Sequence, residues 1–303
     1  MNPAVVLIGY GALTGFLVPQ VLVRSSWPHR APALAVAAWH ALTVSFALSV
    51  ALAIYHLVAP DEHFHAGLVG LLHSCGLAST TDSSSLDSTD GLSLAAPLGL
   101  LVLLLGAFTF ELGRARGARS KHRRVLDIVG RRSERLRATV VEHSLPAAYC
   151  LPGRCPRVVV SQGALDLLSA QQLDAVLEHE RAHIAGRHHV AMAAAEAFFK
   201  VFRRLPLARH AKEQTTLLLE MIADDRALRR HAPEVLATAM YEMAAGKAPE
   251  GAFAAGGASA LLRLRRVLTP QATPHPALWG SLAAVAVTVP LIPFLVACSP
   301  VIG

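Results

Sequence analysis

Apolar positions along the chain fall into two patterns. Four windows are apolar almost without a break for about 20 residues, long enough at about 1.5 Å per residue to cross roughly 30 Å of hydrocarbon. They are 3–23 (PAVVLIGYGALTGFLVPQVLV), 33–58 (ALAVAAWHALTVSFALSVALAIYHLV), 92–112 (LSLAAPLGLLVLLLGAFTFEL) and 277–297 (ALWGSLAAVAVTVPLIPFLVA). Each predicts a transmembrane helix. The first has the length of a signal peptide. It lacks a basic start and a small-x-small cleavage site, and Arg24 follows it, so it reads as a retained span.

Between the third and fourth windows the pattern becomes periodic. Residues 114–142 form an amphipathic basic stretch. A turn at Pro152-Gly153 and a β-branched run, Val158-Val159-Val160, closed by Ser161 and Gly163, predict a hairpin or an edge strand. Ser169 then stands as an N-cap with Gln172 as its capping-box partner. Leu173, Val176 and Leu177 share one face of the helix that follows, and the chain continues into His179, Glu180 and His183. Further helices are expected at 189–202, 211–231, 233–245 and 258–268, the last two separated by the flexible GKAPEGAFAAGG. The expected fold is a multi-pass α-helical membrane protein of four spans, with a mainly helical α+β domain between spans 3 and 4. The boundaries fall at 1–112, 113–275 and 276–303.

Composition agrees with this division: 53% of residues are apolar and only 16% charged, against about a quarter charged in a soluble domain. Charge also orients the chain. Arg24 and Arg30 occupy the first connection, whereas 59–91 holds Asp61, Glu62, Asp82, Asp87 and Asp90 and no Lys or Arg. Segment 113–275 carries 26 Lys and Arg against 15 Asp and Glu, beginning with RARGARSKHRR. The expectation is a plasma or inner membrane protein with both termini outside and the long segment in the cytoplasm. The net charge of +7 gathers beside the membrane, where it draws anionic lipid, and direct nucleic-acid binding is not expected. Four cysteines are too few for a disulfide scaffold. Cys150 and Cys155 are expected reduced, and Cys75 and Cys298, both outside on this topology, are candidates for pairing.

The candidate chemistry lies in AVLEHERAHIAGRHHV, residues 175–190. Residues four apart share a helix face, so His179 and His183 can hold one ion. Glu180 lies about 100° round the helix, within reach of a water on that ion and not itself a ligand. Zinc lowers the pKa of such a water toward 7, and a carboxylate takes its proton. At this chain's frequencies, H-E-x-x-H would arise by chance about 0.03 times. The string also fits H-E-x-x-H-x-x-G-x-x-H, which would make His189 the third ligand. The stronger candidate is Glu220 in LLLEMIADDRAL, with Asp224 one turn later to accept from a ligating imidazole. Arg226, His231 and Tyr241 are unranked candidates for an oxyanion donor.

YCLPGRCPRVVVSQGALDLLSAQQLDAVLEHERAHIAGRHH followed by EMIADDRAL resembles the gluzincin core shared by BlaR/MecR-type membrane metallopeptidases and the HtpX/CAAX-protease group. Three spans before the domain and one after resemble the BlaR/MecR arrangement more closely. The resemblance implies one Zn²⁺ on His179, His183 and Glu220, Glu180 as base, and Asp224 behind a ligand. It implies further that Arg157, Val158, Val159 and Val160 pair with an extended substrate as an added strand. The implied activity is zinc endopeptidase action on a cytoplasmic DNA-binding repressor in signal relay. Alternatives are membrane-protein quality control and a non-catalytic transducer. The sequence stops a few residues past the fourth span, where BlaR/MecR proteins carry an outer β-lactam-binding domain, so direct β-lactam sensing is not expected.

Overall fold

The computed structural model describes residues 2–58, 88–246, 257–269 and 276–297. The acidic loop up to residue 87, Cys75, Cys298 and most of 246–257 lie outside the described residues, and with them the pairing and flexibility expected there.

Helix α1 (Pro3–Ala12) runs through a π-helical turn, Leu13–Leu17, into α2 (Val18–Arg24). Pro19 accounts for the widened turn, since it offers no N–H and its ring presses on the carbonyl four residues back. A short α3 (Trp27–Arg30) leads to α4 (Pro32–Val58), and α5 spans Ser88–Val129. Among the described residues, three stretches are long and apolar enough to cross a membrane: Pro3–Arg24, Pro32–Val58 and Pro97–Val129. The fourth expected span divides into helices Pro276–Thr288 and Ile292–Ala297 around a 3-10 turn at Val289–Leu291. Its apolar helical part, Ala284–Ala297, is shorter than the other three. It packs on α1 and α4, where the Val289 carbonyl accepts from Ser45 Oγ at 2.8 Å and from the Tyr10 hydroxyl at 3.3 Å. Ser49 Oγ donates to the Leu7 carbonyl at 2.7 Å. Such hydroxyl contacts tie helices together where the hydrophobic effect cannot. His40, inside the second of these spans, has Nε2 buried without a partner among the described residues.

Helix α5 passes the expected boundary at 112/113 without a break. Glu111, only 3% exposed, pairs with Arg114 at 2.8 Å and also with Lys200. The basic stretch 114–142 is helical only as far as Val129. Gly130 marks the change: a Cβ there would lie 2.5 Å from Thr139 Cγ2 and 2.7 Å from the Leu126 carbonyl oxygen. The β-branched run Thr139-Val140-Val141 then favours strand.

Four strands follow: β1 (Gly130–Ser133), β2 (Ala138–Val141), β3 (Ala148–Leu151) and β4 (Arg157–Ser161), in the order β1-β2-β4-β3. The hairpin of β3 and β4 is antiparallel, while β4 also pairs parallel with β2. This corrects the expectation that Arg157, Val158, Val159 and Val160 offer an edge to substrate. Both edges of β4 are occupied, and its three valines are 4%, 1% and 0% exposed, the burial of an interior strand covered on both faces. Among the described residues, the open edge on this side is β3.

The helices are α6 (Gln162–Leu167), α7 (Ala170–Ala185), α8 (His188–Val201), α9 (Pro206–Ala227), α10 (Pro233–Ala245) and α11 (Gly257–Leu268). The capping box of α7 is complete, with Ser169 and Gln172 satisfying each other's backbone N–H, a device contributing about 1 kcal/mol. Leu173 and Leu177 pack with Val140, Val158 and Val160, seating α7 under the sheet. Helices α8 and α9 bury their apolar faces on α4 instead, where Trp39, Leu42 and Phe46 share one core with Phe198, Leu207, Leu218 and Met221. Phe46 meets Phe198 and Phe202 edge-on, with centroids 6.1 and 5.3 Å apart. Part of the segment 113–275 thus packs directly on a candidate span.

Candidate metal centre

Helices α7 and α9 pack side by side and bring the three main candidate ligands together. Ligand atoms of His179, His183 and Glu220 all lie within 4.8 Å of one another. His179 Nε2 is 3.2 Å from His183 Nε2 and 3.5 Å from Glu220 Oε2, while His183 Nε2 is 3.4 Å from Glu220 Oε1. Ligands at about 2.0–2.1 Å in a tetrahedron stand roughly 3.3 Å apart. The donor set, two imidazoles and a carboxylate, and its spacing therefore fit a zinc ion with a fourth position open. Leu218 and Met221, flanking Glu220, share a core with Ala35 and Trp39 in the first two turns of α4. The group therefore sits close to one end of that candidate span.

Asp224, 1% exposed, accepts from His179 Nδ1 at 2.9 Å, which leaves Nε2 to face the group. The residue that holds both acids comes from a distant part of the chain. Arg263 on α11 donates twice to Asp224, at 2.8 and 2.7 Å, and reaches Glu220 Oε2 at 2.8 Å. Helix α11 is pinned one turn later by Arg266, which forks onto Asp225 at 2.6 and 2.9 Å and donates to the His29 carbonyl at 2.7 Å. Sequence reasoning missed Arg263. The available signal was the arginines of LLRLRRVL, two of them three apart as Arg263 and Arg266, set against the Asp224-Asp225 pair, since buried charges need partners.

These contacts set the protonation states. Burial would depress His179, but the hydrogen bonds to Asp224 and Glu220 outweigh it and lift the imidazole to about 9. Burial pushes His183 down to about 4 against the pull of Glu220. Asp224 would be raised by burial, yet Arg263 and His179 hold it at about 2. Glu220 is lowered in the same way by His179 and Arg263 against the opposing effect of burial.

The metal-free group thus carries a proton on His179 at neutral pH. Zinc binding at pH 7 is expected to release about one proton, and zinc affinity to rise about tenfold per pH unit up to about 9. Calorimetry in two buffers of different ionisation heat measures both, and a flat affinity between pH 6.5 and 9 would contradict the assignment. Metal-free stability moves the other way. A raised histidine stabilises fully below its ordinary 6.5 and loses that contribution as pH rises through about 9. Asp224 stabilises above its ordinary 3.8 and loses its contribution as pH falls through about 2.

Glu180 is half-buried beside the group without belonging to it. Its neighbour across α7 and β3 is Cys150, whose thiol is pushed up to about 12 by burial and by the Glu180 carboxylate. His189, the alternative third ligand, is not in the group. Its Nδ1 is buried without a partner among the described residues, and burial together with Arg119 and Arg187 lowers its pKa. The histidine that turns toward the group is His188, whose ring lies on His183. Of the oxyanion candidates, Arg226 lies 3.6 Å from Glu178, His231 lies 3.6 Å from Asp174, and Tyr241 is 66% exposed.

Residues 114–238 match the model of peptidase family M48, which indicates a metallopeptidase. Searches of curated proteins and of solved structures found no match.

Proposed function

We propose that this protein is a membrane-anchored zinc endopeptidase that hydrolyses a protein substrate at the cytoplasmic face of the membrane. The observation that carries the reading is the tetrahedral spacing of His179, His183 and Glu220 with Glu180 beside them. His179, His183 and Glu220 would hold the ion, and Asp224 keeps His179 in the tautomer that presents Nε2. The ion supplies Lewis acidity, polarising the scissile carbonyl and making water a stronger acid. Glu180 takes the proton of the attacking water and returns it to the leaving amine. An extended substrate pairs with the open edge of β3, whose Cys150 neighbours Glu180, so main-chain hydrogen bonds carry the peptide past the base. The four-span topology, with both termini outside, is part of this reading.

The substrate we propose is a cytoplasmic DNA-binding repressor cleaved in a signal relay, as the arrangement of spans around the domain suggests. The M48 match is equally compatible with a second reading, quality control of membrane proteins with broad specificity. The two separate in one experiment with full-length protein reconstituted in liposomes with zinc. Discrete cleavage of a candidate DNA-binding repressor supports the first. Degradation of many unfolded membrane proteins with the repressor left intact supports the second. Intact repressor and intact membrane proteins together would overturn both.

A further inference from the structure

Helix α7 ends at Ala185, and two residues later the chain is helical again as α8. The reversal depends on Arg187, which takes the left-handed conformation with φ 49°, rare for a residue with a side chain. It throws the next residue, His188, back onto α7. The His188 ring is buried, 4% exposed, and meets the His183 ring edge-on with centroids 4.7 Å apart. Their Nδ1 atoms are 2.8 Å apart, a hydrogen bond. The ring fits only because residue 186 is glycine: a Cβ there would lie 2.4 Å from His188 Nε2 and 2.6 Å from Cδ2.

His183 presents Nε2 to His179 and Glu220. With Nε2 as the atom that would hold the ion, the proton of a neutral His183 sits on Nδ1, which then donates to His188. A turn, a glycine and a buried imidazole thus do for His183 what Asp224 does for His179. On the metal reading given above, we propose that His188 is a positioning residue that fixes the tautomer and ring orientation of His183. One ligating imidazole is backed by a carboxylate and the other by a neutral ring. The second histidine is therefore fixed without adding a negative charge beside Glu220.

The test uses the length of the side chain. In asparagine, Oδ1 stands as many bonds from Cα as Nδ1 does in histidine, so His188→Asn keeps an acceptor where His188→Leu has none. Full-length protein in detergent is stripped of metal, and zinc affinity is measured by chelator competition, with Co²⁺ absorption reporting ligand geometry. His188→Leu is expected to bind zinc about 10–100-fold more weakly than wild type and to shift the Co²⁺ spectrum. His188→Asn is expected to stay within about threefold of wild type, the acceptor being restored. Metal-free melting is recorded for both, because a role in packing alone would lower both without separating their zinc affinities. Equal zinc affinity for the Leu and Asn variants overturns the proposal while leaving the metal reading intact. A wild type that takes up no zinc overturns the metal reading, and this proposal falls with it.

Discussion

Glu180→Gln is expected to lower kcat by about 10²–10⁴-fold, the usual contribution of a positioned general base, while zinc content stays at wild-type level. Glutamine keeps the size and a hydrogen-bonding end but cannot accept a proton at neutral pH. Glu180 follows His179 on α7 and lies outside the group that would hold the ion, so metal affinity should not depend on its charge. It also neighbours Cys150 of β3, the strand proposed to pair with the substrate. The measurement pairs single-turnover cleavage of a reconstituted substrate with elemental analysis of the same preparation. Cleavage at the wild-type rate would sink the assignment of Glu180 as base. Loss of zinc together with activity would make it a ligand instead.

Glu220→Ala should lose zinc, and His189→Ala should keep it. Glu220 lies 3.4 and 3.5 Å from the two imidazole nitrogens, with its Oε2 also held by Arg263. Removing it leaves two protein ligands, with the Arg263 guanidinium still held by Asp224 in the same space. The loss in affinity should exceed the 10–100-fold typical of deleting a residue behind a ligand. His189 neighbours Arg119 and Arg187, so its truncation should not move the chelator-competition curve. Zinc lost only from the His189 variant would restore the longer motif and displace Glu220.

Much of the site can be read locally. The capping box at Ser169 and Gln172, the four-residue spacing of His179 and His183, and that of Glu220 and Asp224 are properties of single helices. They survive any packing that keeps those helices. The helix ends were less legible. The structure starts α9 at Pro206, where a sequence reading places the start near 211, because Pro at N1 is compatible with a helix start. The distinction between His188 and His189 could not be read at all. It depends on the left-handed Arg187, and a left-handed residue with a side chain is unfavourable in isolation, so only the surrounding contacts can hold it.

The sheet shows the same limit. A run of valines bounded by turn residues says strand, but whether β4 is an edge depends on β2, which pairs with it although β3 lies between the two along the chain. The period of two in side-chain direction carries no information about what lies beyond each edge.

By itself the sequence determined the three long apolar helices, the helical pairing of His179 with His183, and a buried acidic helix able to face them. Each of these follows from spacing within one segment and from the energy of leaving apolar or charged groups in the wrong solvent. Tertiary structure alone decided which strand stays open, which of two adjacent histidines turns to the site, and that Arg263 from α11 holds both acids. It also decided that α8 and α9 rest on α4 through Phe46 and Phe198. Apart from the turn at Gly186 and Arg187, those outcomes depend on contacts between residues far apart in the chain, and such contacts are selected by packing and charge compensation over the whole fold.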